Sequence, residues 1–474
     1  MLAAALSILV APLAIQAHSG CGGHEVGRAN PGGRIVSSYA EWARTGSENS
    51  YQGVLGKRQS AAAAAPTDKA SAADSIDPDY ECTAYSYAPV LALKASYPPV
   101  WTTASIVAGD TAATSLFATI NATLNAQFPT DLPKGDITGN FTGVNYTYLD
   151  PDCWWTWSHC TTPAASTGLK ADITTTPEPL TWGLAFDDGP NCSHNAFYDY
   201  LQEQNQKATM FYIGSNVLDW PLQALRGYAD GHQISDHTWS HRYMTSLTNE
   251  EAFAELYYTR QLIKDVIGVT PLSWRPPYGD VDNRIRAIAA GLNLTTVVWS
   301  NDSEDWKEGV PADNVTAADV TANYQGVINN IANGTYVSSG PVVLTHELNN
   351  FTMSEFISMY EAIKAAFKYI VPIATAYNLT NPYAETNITY PDFLTYTNQT
   401  SLASSQPSTS ASTSASPTVS GAVVGAVSTT STSSSSASLN AGATGSATAK
   451  PSSGEKVVVG GGLAMLLTAF VMLL

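Results

Sequence analysis

Apolar runs and periodic segments alternate along the middle of the chain. Leu180–Phe186 is apolar and partly aromatic and stops abruptly at Gly189-Pro190, which predicts a buried strand. Further strands are predicted at Ala208–Ile213, Gln233–Ser235, Leu272–Trp274, Thr295–Trp299 and Pro341–Thr345. Helical periodicity falls between them, at Asn195–Glu203, Pro221–Asp230, Asn249–Val266, Asn283–Gly291 and Thr316–Asn330, with a last segment at Met353–Tyr369. Such alternation implies parallel strands joined by crossover helices, in an open sheet or a barrel. Six strands are fewer than the eight of a complete barrel. The expected fold class is therefore α/β, an irregular or incomplete (β/α) barrel. Residues 82–179 carry scattered Trp, Tyr and Pro without a repeat, and are expected to form an N-terminal extension packed on this domain.

The ends of the chain have a different pattern. Residues 1–17 are almost wholly apolar and close on Ala14-Ile15-Gln16-Ala17, as a secretory signal peptide does, although no basic residue precedes the apolar stretch. Residues 18–58 are Gly- and polar-rich and end at Lys57-Arg58, the form of a propeptide; a merely exposed basic pair is the competing account. Residues 59–81 read as a linker and 378–398 as a C-terminal extension. Residues 399–449 are Ser, Thr, Ala, Gly and Pro, too poor in large apolar groups to fold, and fit an O-glycosylated stalk. The polar spacer Lys450 to Lys456 and the apolar tail Val457 to Leu474 fit a GPI-anchor signal with attachment within 440–446. A terminal transmembrane helix is the rival, but no basic residue follows the tail and its length is at the short limit.

Composition narrows the function. The net charge is −18 over 474 residues, which argues against nucleic acid as a partner and suits a cationic polymer. Nothing in the sequence implies a protein partner. Of the five cysteines, Cys21 falls in the propeptide, leaving an even number for an oxidising compartment. Cys153 with Cys160 would close a short loop holding Trp154, Trp155 and Trp157, and leave Cys82 with Cys192; the other pairings stay open. That loop could stack a sugar, with aromatics buried in a disulfide loop as the blander account. Glycosylation sequons are dense: Asn121, Asn140, Asn145, Asn293, Asn301, Asn314, Asn333, Asn350, Asn378, Asn387 and Asn398. They indicate a eukaryotic secretory route.

Polar groups cluster where the predicted strands end. Asp187-Asp188 follow the first strand, His237 and His241 the third, Arg275 and Tyr278 the fourth, Asp302, Asp305 and Trp306 the fifth, and His346 the sixth. Strand ends on one rim point such groups into one cavity. His237 and His241, four apart on an expected helical turn, would face one side; with an aspartate they match the non-haem iron triad by ligand type and also suit zinc with open positions for water. Two adjacent carboxylates need a cation or an arginine to hold them together.

These blocks, in this order, resemble the polysaccharide deacetylases with the NodB homology domain, carbohydrate esterase family 4. They stand as FDDGP at 186–190, HTWSH at 237–241, RPPYG at 275–279, DSEDW at 302–306 and LTH at 344–346. Ala185 replaces the threonine common before the first block. The resemblance covers residues 180–377. It implies that Asp188, His237 and His241 bind one divalent metal ion, zinc or cobalt. It makes Asp187 the general base, oriented by Arg275, and His346 the general acid, tuned by Asp305. The backbone N–H of Tyr278 would meet the oxyanion, and Trp306 and Leu344 would wall the acetyl pocket. The address implied by the termini and sequons is a fungal cell wall and plasma membrane, where the N-acetylated polymer is chitin. The expected activity is chitin deacetylation to chitosan. O-deacetylation of a xylan-type polymer, and a non-catalytic glycan-binding mannoprotein, are the alternatives.

Overall fold

The computed structural model describes residues 65–128, 133–147, 149–310 and 313–404, the side chains of 399–404 excepted. The signal peptide, the propeptide with Cys21, residues 59–64 of the linker, nearly all of the stalk and the anchor signal lie outside the described residues, while residues 65–81 carry short helices at Lys69–Ala72 and Pro78–Glu81.

The strands in chain order are β1 (Thr175–Thr176), β2 (Thr181–Gly189), β3 (Thr209–Tyr212), β4 (Gln233–Asp236), β5 (Ser273–Trp274), β6 (Thr295–Thr296), β7 (Asn301–Asp302), β8 (Gly340–Pro341), β9 (Val343–Leu344) and β10 (Tyr369–Pro372). The helices of six residues or more are α1 (Thr111–Gln127), α2 (Asn195–Glu203), α3 (Gly214–Asp219), α4 (Pro221–Ala229), α5 (Asn249–Ile267), α6 (Asn283–Gly291), α7 (Ala317–Asn329), α8 (Asn350–Ala366) and α9 (Phe393–Ser404).

β2 is the hub, and every one of its residues is buried. A parallel strand covered on both faces needs such a continuous apolar run. Six strands pair in parallel in the order β10-β2-β3-β4-β5-β6. The chain then runs on from β6 to β7, which pairs with β9. Gly183 and Asp187 of β2 bridge in parallel to Val342 and His346. The sheet thus curls round to meet itself: an irregular barrel whose seam is closed by isolated bridges instead of full ladders.

Three expected strands change shape. β2 runs on through Gly189 instead of stopping at Phe186. The expected Thr295–Trp299 is ordered as strand only at β6, and Pro341–Thr345 divides into β8 and β9 about Val342. The expected helix Met353–Tyr369 is α8; Asn349 caps its start through Thr352 N–H, and it ends at Ala366 because Phe367 is extended (φ −94°, ψ 140°). Tyr369–Pro372 is the buried strand β10, whose apolar run continues the helical pattern without a break.

The core sits between β2 and the surrounding helices. Phe186 meets Phe197 and Phe356 edge to face, centroids 4.9 and 4.8 Å apart. Truncating such a ring costs about 3–5 kcal/mol. The extension is part of the same unit. The Cys82–Cys192 disulfide ties it to the loop after β2, and a closed loop of this length stabilises by about 4–5 kcal/mol on the chain-entropy account. Buried Glu81 accepts the Asn195 N–H at the start of α2 (2.9 Å). The second disulfide joins Cys153 to Cys160.

Candidate active site

The Asp pair lies within β2, not after it. Successive residues of a strand point to opposite faces. Here the register between β2 and β3 shifts between Phe186 and Gly189, and Asp188 takes φ +71°. A bulge of this kind re-aims side chains, and both carboxylates lie near His237 Nε2, at 3.8 and 3.4 Å.

Asp187 Oδ1 accepts from Arg275 Nη1 at 2.7 Å, and both side chains are buried. Arg275 comes from the turn after β5, with its guanidinium carbon 4.4 Å from the Phe211 ring centroid and 5.9 Å from that of Trp299. Burial pushes the Arg275 pKa down, against the opposing pull of Asp187. A buried charge is tolerable only when paired, and removing one partner of such a pair costs about 3–5 kcal/mol.

Asp188, His237 and His241 form a cluster whose potential ligand atoms lie within 4.8 Å of one another. The two histidines are not on a helical turn as expected. They sit on an irregular loop after β4, in which Thr238 (φ 66°) and His241 (φ 54°) are left-handed. Asp236 holds that loop by accepting the Thr238 N–H (2.8 Å). Glu255 of α5 holds it by accepting the Ser240 N–H (2.7 Å) and hydroxyl (2.6 Å).

The donor set fits a cation. His237 Nδ1 faces the Arg275 carbonyl at 2.8 Å, so it carries the proton and Nε2 presents its lone pair. His241 Nδ1 meets the Tyr278 hydroxyl at 3.1 Å. Asp188 Oδ1 is buried, has no hydrogen-bond partner among the described residues, and lies 3.4 and 3.2 Å from the two Nε2 atoms. Acceptors turned on one another at this range repel unless a positive charge lies between them. The Arg275 carbonyl and the Tyr278 hydroxyl on the two Nδ1 atoms are outer hydrogen bonds of the kind that metal-ligating imidazoles use.

His346 stands directly beside Asp187 across the β2 seam. Its Nδ1 and backbone N–H bond the two oxygens of Asp305, at 2.6 and 3.0 Å. Burial pushes the imidazole down, yet Asp305, with Asp188 and Asp187 behind it, carries it up to about 10. Asp302, beside Asp305, is pushed up to about 6 by burial. Leu344 is buried on β9, and half-buried Trp306 follows Asp305 with Lys307 Nζ 5.0 Å from its ring centroid. The turn carrying Tyr278 is left-handed at that residue (φ 59°), and the Tyr278 ring stacks on Tyr243 at 4.0 Å.

Sequence reasoning missed the supports. Glu255 was visible as a carboxylate on the apolar face of α5. Asp280, wholly buried, binds Trp154, Thr156 and Thr245 directly beyond the Tyr278 turn; only its place after RPPYG marked it. Among the sequons, Asn350 is buried in the first turn of α8, where a glycan has no room, so that expectation is withdrawn. Asn121 and Asn301 are half-buried, and the others are exposed.

Residues 174–297 match the family model described as Polysaccharide deacetylase. Chitin deacetylase 2 of Cryptococcus neoformans var. grubii is 59% identical over 404 residues, which is 85% of this chain and 83% of that one. Chitin deacetylase of Amylomyces rouxii is 48% identical over 316 residues, 66% of this chain and 73% of that one. A solved chitin deacetylase from Colletotrichum lindemuthianum, 20% identical, covers 44% of this chain and 92% of its own, with a TM-score of 0.40. Identity of this order, over most of the length of both chains, reflects common descent and not just a shared architecture: the chain belongs to the polysaccharide deacetylase family and is an enzyme of it.

Proposed function

We propose that the enzyme removes N-acetyl groups from the N-acetylglucosamine units of chitin, giving chitosan and acetate. The observation that carries this reading is the juxtaposition of an Arg-held carboxylate, Asp187, with an Asp-held imidazole, His346, on opposite sides of one seam. These are a candidate base and a candidate acid, the acid kept protonated by its neighbours. Asp188, His237 and His241 would hold one divalent ion, zinc or cobalt, which polarises the carbonyl and acidifies water. Asp187 takes the proton from water, and Arg275 holds its carboxylate in place for that purpose. His346, charged by its contact with Asp305, gives its proton to the departing nitrogen. The Tyr278 N–H donates to the tetrahedral oxygen, and Leu344 with Trp306 walls the acetyl methyl.

The relatives named chitin deacetylase support the substrate class. The signal peptide, sequons and disulfides support secretion, with the stalk and GPI anchor holding the enzyme at a fungal cell wall and plasma membrane. The test is acetate release from N-acetylglucosamine oligomers and from acetylated xylan. The reading expects acetate from the first; release from xylan alone would make the enzyme an O-deacetylase, and release from neither a binding protein. Phosphatidylinositol-specific phospholipase C should free the enzyme from intact cells, and recovery of the Val457–Leu474 peptide from mature protein would contradict the anchor.

A further inference from the structure

Residues 153–160 precede the segment that matches the family, yet they are fastened to the active-site turn. Trp154 Nε1 and Thr156 Oγ1 donate to Asp280 Oδ1 at 2.9 and 2.6 Å, and Trp155 N–H donates to the Val281 carbonyl at 2.9 Å. Arg286 donates to the carbonyls of Cys153 and Cys160, the two ends of the disulfide loop, at 2.6 and 2.8 Å. Gly279, the residue after Tyr278, has φ +71° and lies so near the Trp155 ring that a Cβ there would fall 2.5 Å from it. The loop and the catalytic turn are therefore one rigid piece.

What the loop presents is an aromatic ledge. The Trp155 ring meets Trp299 edge to face at 4.9 Å and His159 at 4.6 Å. Trp299 faces Arg275, which holds Asp187, so contact is unbroken from the base to the loop. Trp154, which fills core, is 2% exposed; Trp155 and Trp299 are only half-buried, and His159 is exposed. His159 takes the left-handed conformation (φ 55°, ψ 32°), uncommon outside glycine. A pyranose ring has apolar C–H faces that lie on aromatic rings and a rim of hydroxyls that seek polar tips. Half-exposed indoles with one exposed imidazole match that chemistry.

We propose that Trp155, Trp299 and His159 bind a sugar unit of the polymer next to the one that loses its acetyl group. The inference rests on the deacetylase reading above and assigns chain binding to the N-terminal extension. Acetate release is measured for wild type, Trp155→Ala, Trp155→Phe and His159→Ala on N-acetylglucosamine oligomers of increasing length, with tryptophan fluorescence as an independent measure of binding. An aromatic contact of this kind is worth roughly tenfold in affinity. KM for long oligomers should rise by about that factor in Trp155→Ala, less for the shortest, with kcat changed little. Trp155→Phe should recover most of the loss. His159→Ala, which leaves the latch to Asp280 untouched, should raise KM severalfold. Wild-type KM in both alanine variants at every length would overturn the proposal, as would an equal fall in kcat at every length, which marks a loop that merely supports Tyr278. If wild type releases no acetate the deacetylase reading fails, and the fluorescence titrations still decide whether the ledge binds sugar.

Discussion

Replacing Asp305 by asparagine removes the charge that keeps His346 protonated and leaves an oxygen still able to accept from Nδ1. Opposite unit charges about 4 Å apart, at an effective dielectric constant of about 20, attract by about 4 kcal/mol. At about 1.4 kcal/mol per unit that is roughly three pK units. The imidazole, carried up to about 10 in the intact protein, would titrate about three units lower, with Asp188 and Asp187 still acting against burial. A general acid must be protonated to work, so a lower pKa removes activity from the alkaline side first. At pH 8 the protonated share falls from nearly all to roughly one-tenth. The assay is kcat/KM for acetate release between pH 5 and 10, with wild type and variant carrying the same metal content so that the cation's effect on both is common. The alkaline limb should move toward acid by about three units, with a loss near tenfold at pH 8 and much less at pH 6. An unmoved limb, or a loss equal at every pH, refutes the assignment of His346 as an acid tuned by Asp305.

Other changes test other parts of the site. Asp187→Asn should keep the bound metal but lose about 10²–10⁴ in turnover on an amide, the usual worth of a general base; near wild-type turnover would remove Asp187 from that role. Tyr278→Phe frees His241 Nδ1 from its phenol at 3.1 Å and should weaken metal affinity by about 10- to 100-fold, read by competition with a chelator; unchanged affinity would mean the phenol does not orient the ring. Gly279→Ala should destabilise, because alanine is strained at φ +71° and its Cβ strikes Trp155, and a midpoint of thermal unfolding equal to wild type would contradict the tight seating of that loop. Burial pushes wholly buried Glu347 up to about 8. The folded chain therefore keeps a proton that the unfolded chain releases near 4.5, and stability falls as pH rises across that window. Glu347→Gln should flatten this part of the stability profile, and an unaltered slope between pH 4.5 and 8 would show that Glu347 does not contribute to it.

The parts of this protein that could be read from its sequence are those where chemistry follows a buried strand. β2 is apolar from Trp182 to Phe186, and the polar residues after β4, β5, the run ending at Trp299 and β9 stand out because apolar runs precede them. What the sequence hid depends on backbone geometry at single residues. Nothing in Asp187-Asp188 announces the bulge that turns both carboxylates inward, and the spacing of His237 and His241 suits a helix as well as the left-handed loop that they occupy. Closure of the barrel rests on isolated bridges from Gly183 and Asp187, too short to leave a periodic trace. β10 was hidden by α8, since an apolar helix running into an apolar strand shows no change of character. The latches from Trp154 and Thr156 to Asp280 span more than 120 residues of chain, a separation over which local patterning carries no information.

The central claim is that Asp188, His237 and His241 hold one divalent cation on which deacetylation depends. The direct measurement is a titration of chelated enzyme with zinc or cobalt, following metal bound per chain and acetate released from N-acetylglucosamine oligomers in the same samples. Activity should be lost on chelation, return in proportion to bound metal, and level off at one ion per chain, with His237→Ala failing to recover. Full acetate release from enzyme shown by elemental analysis to carry no metal would contradict the account.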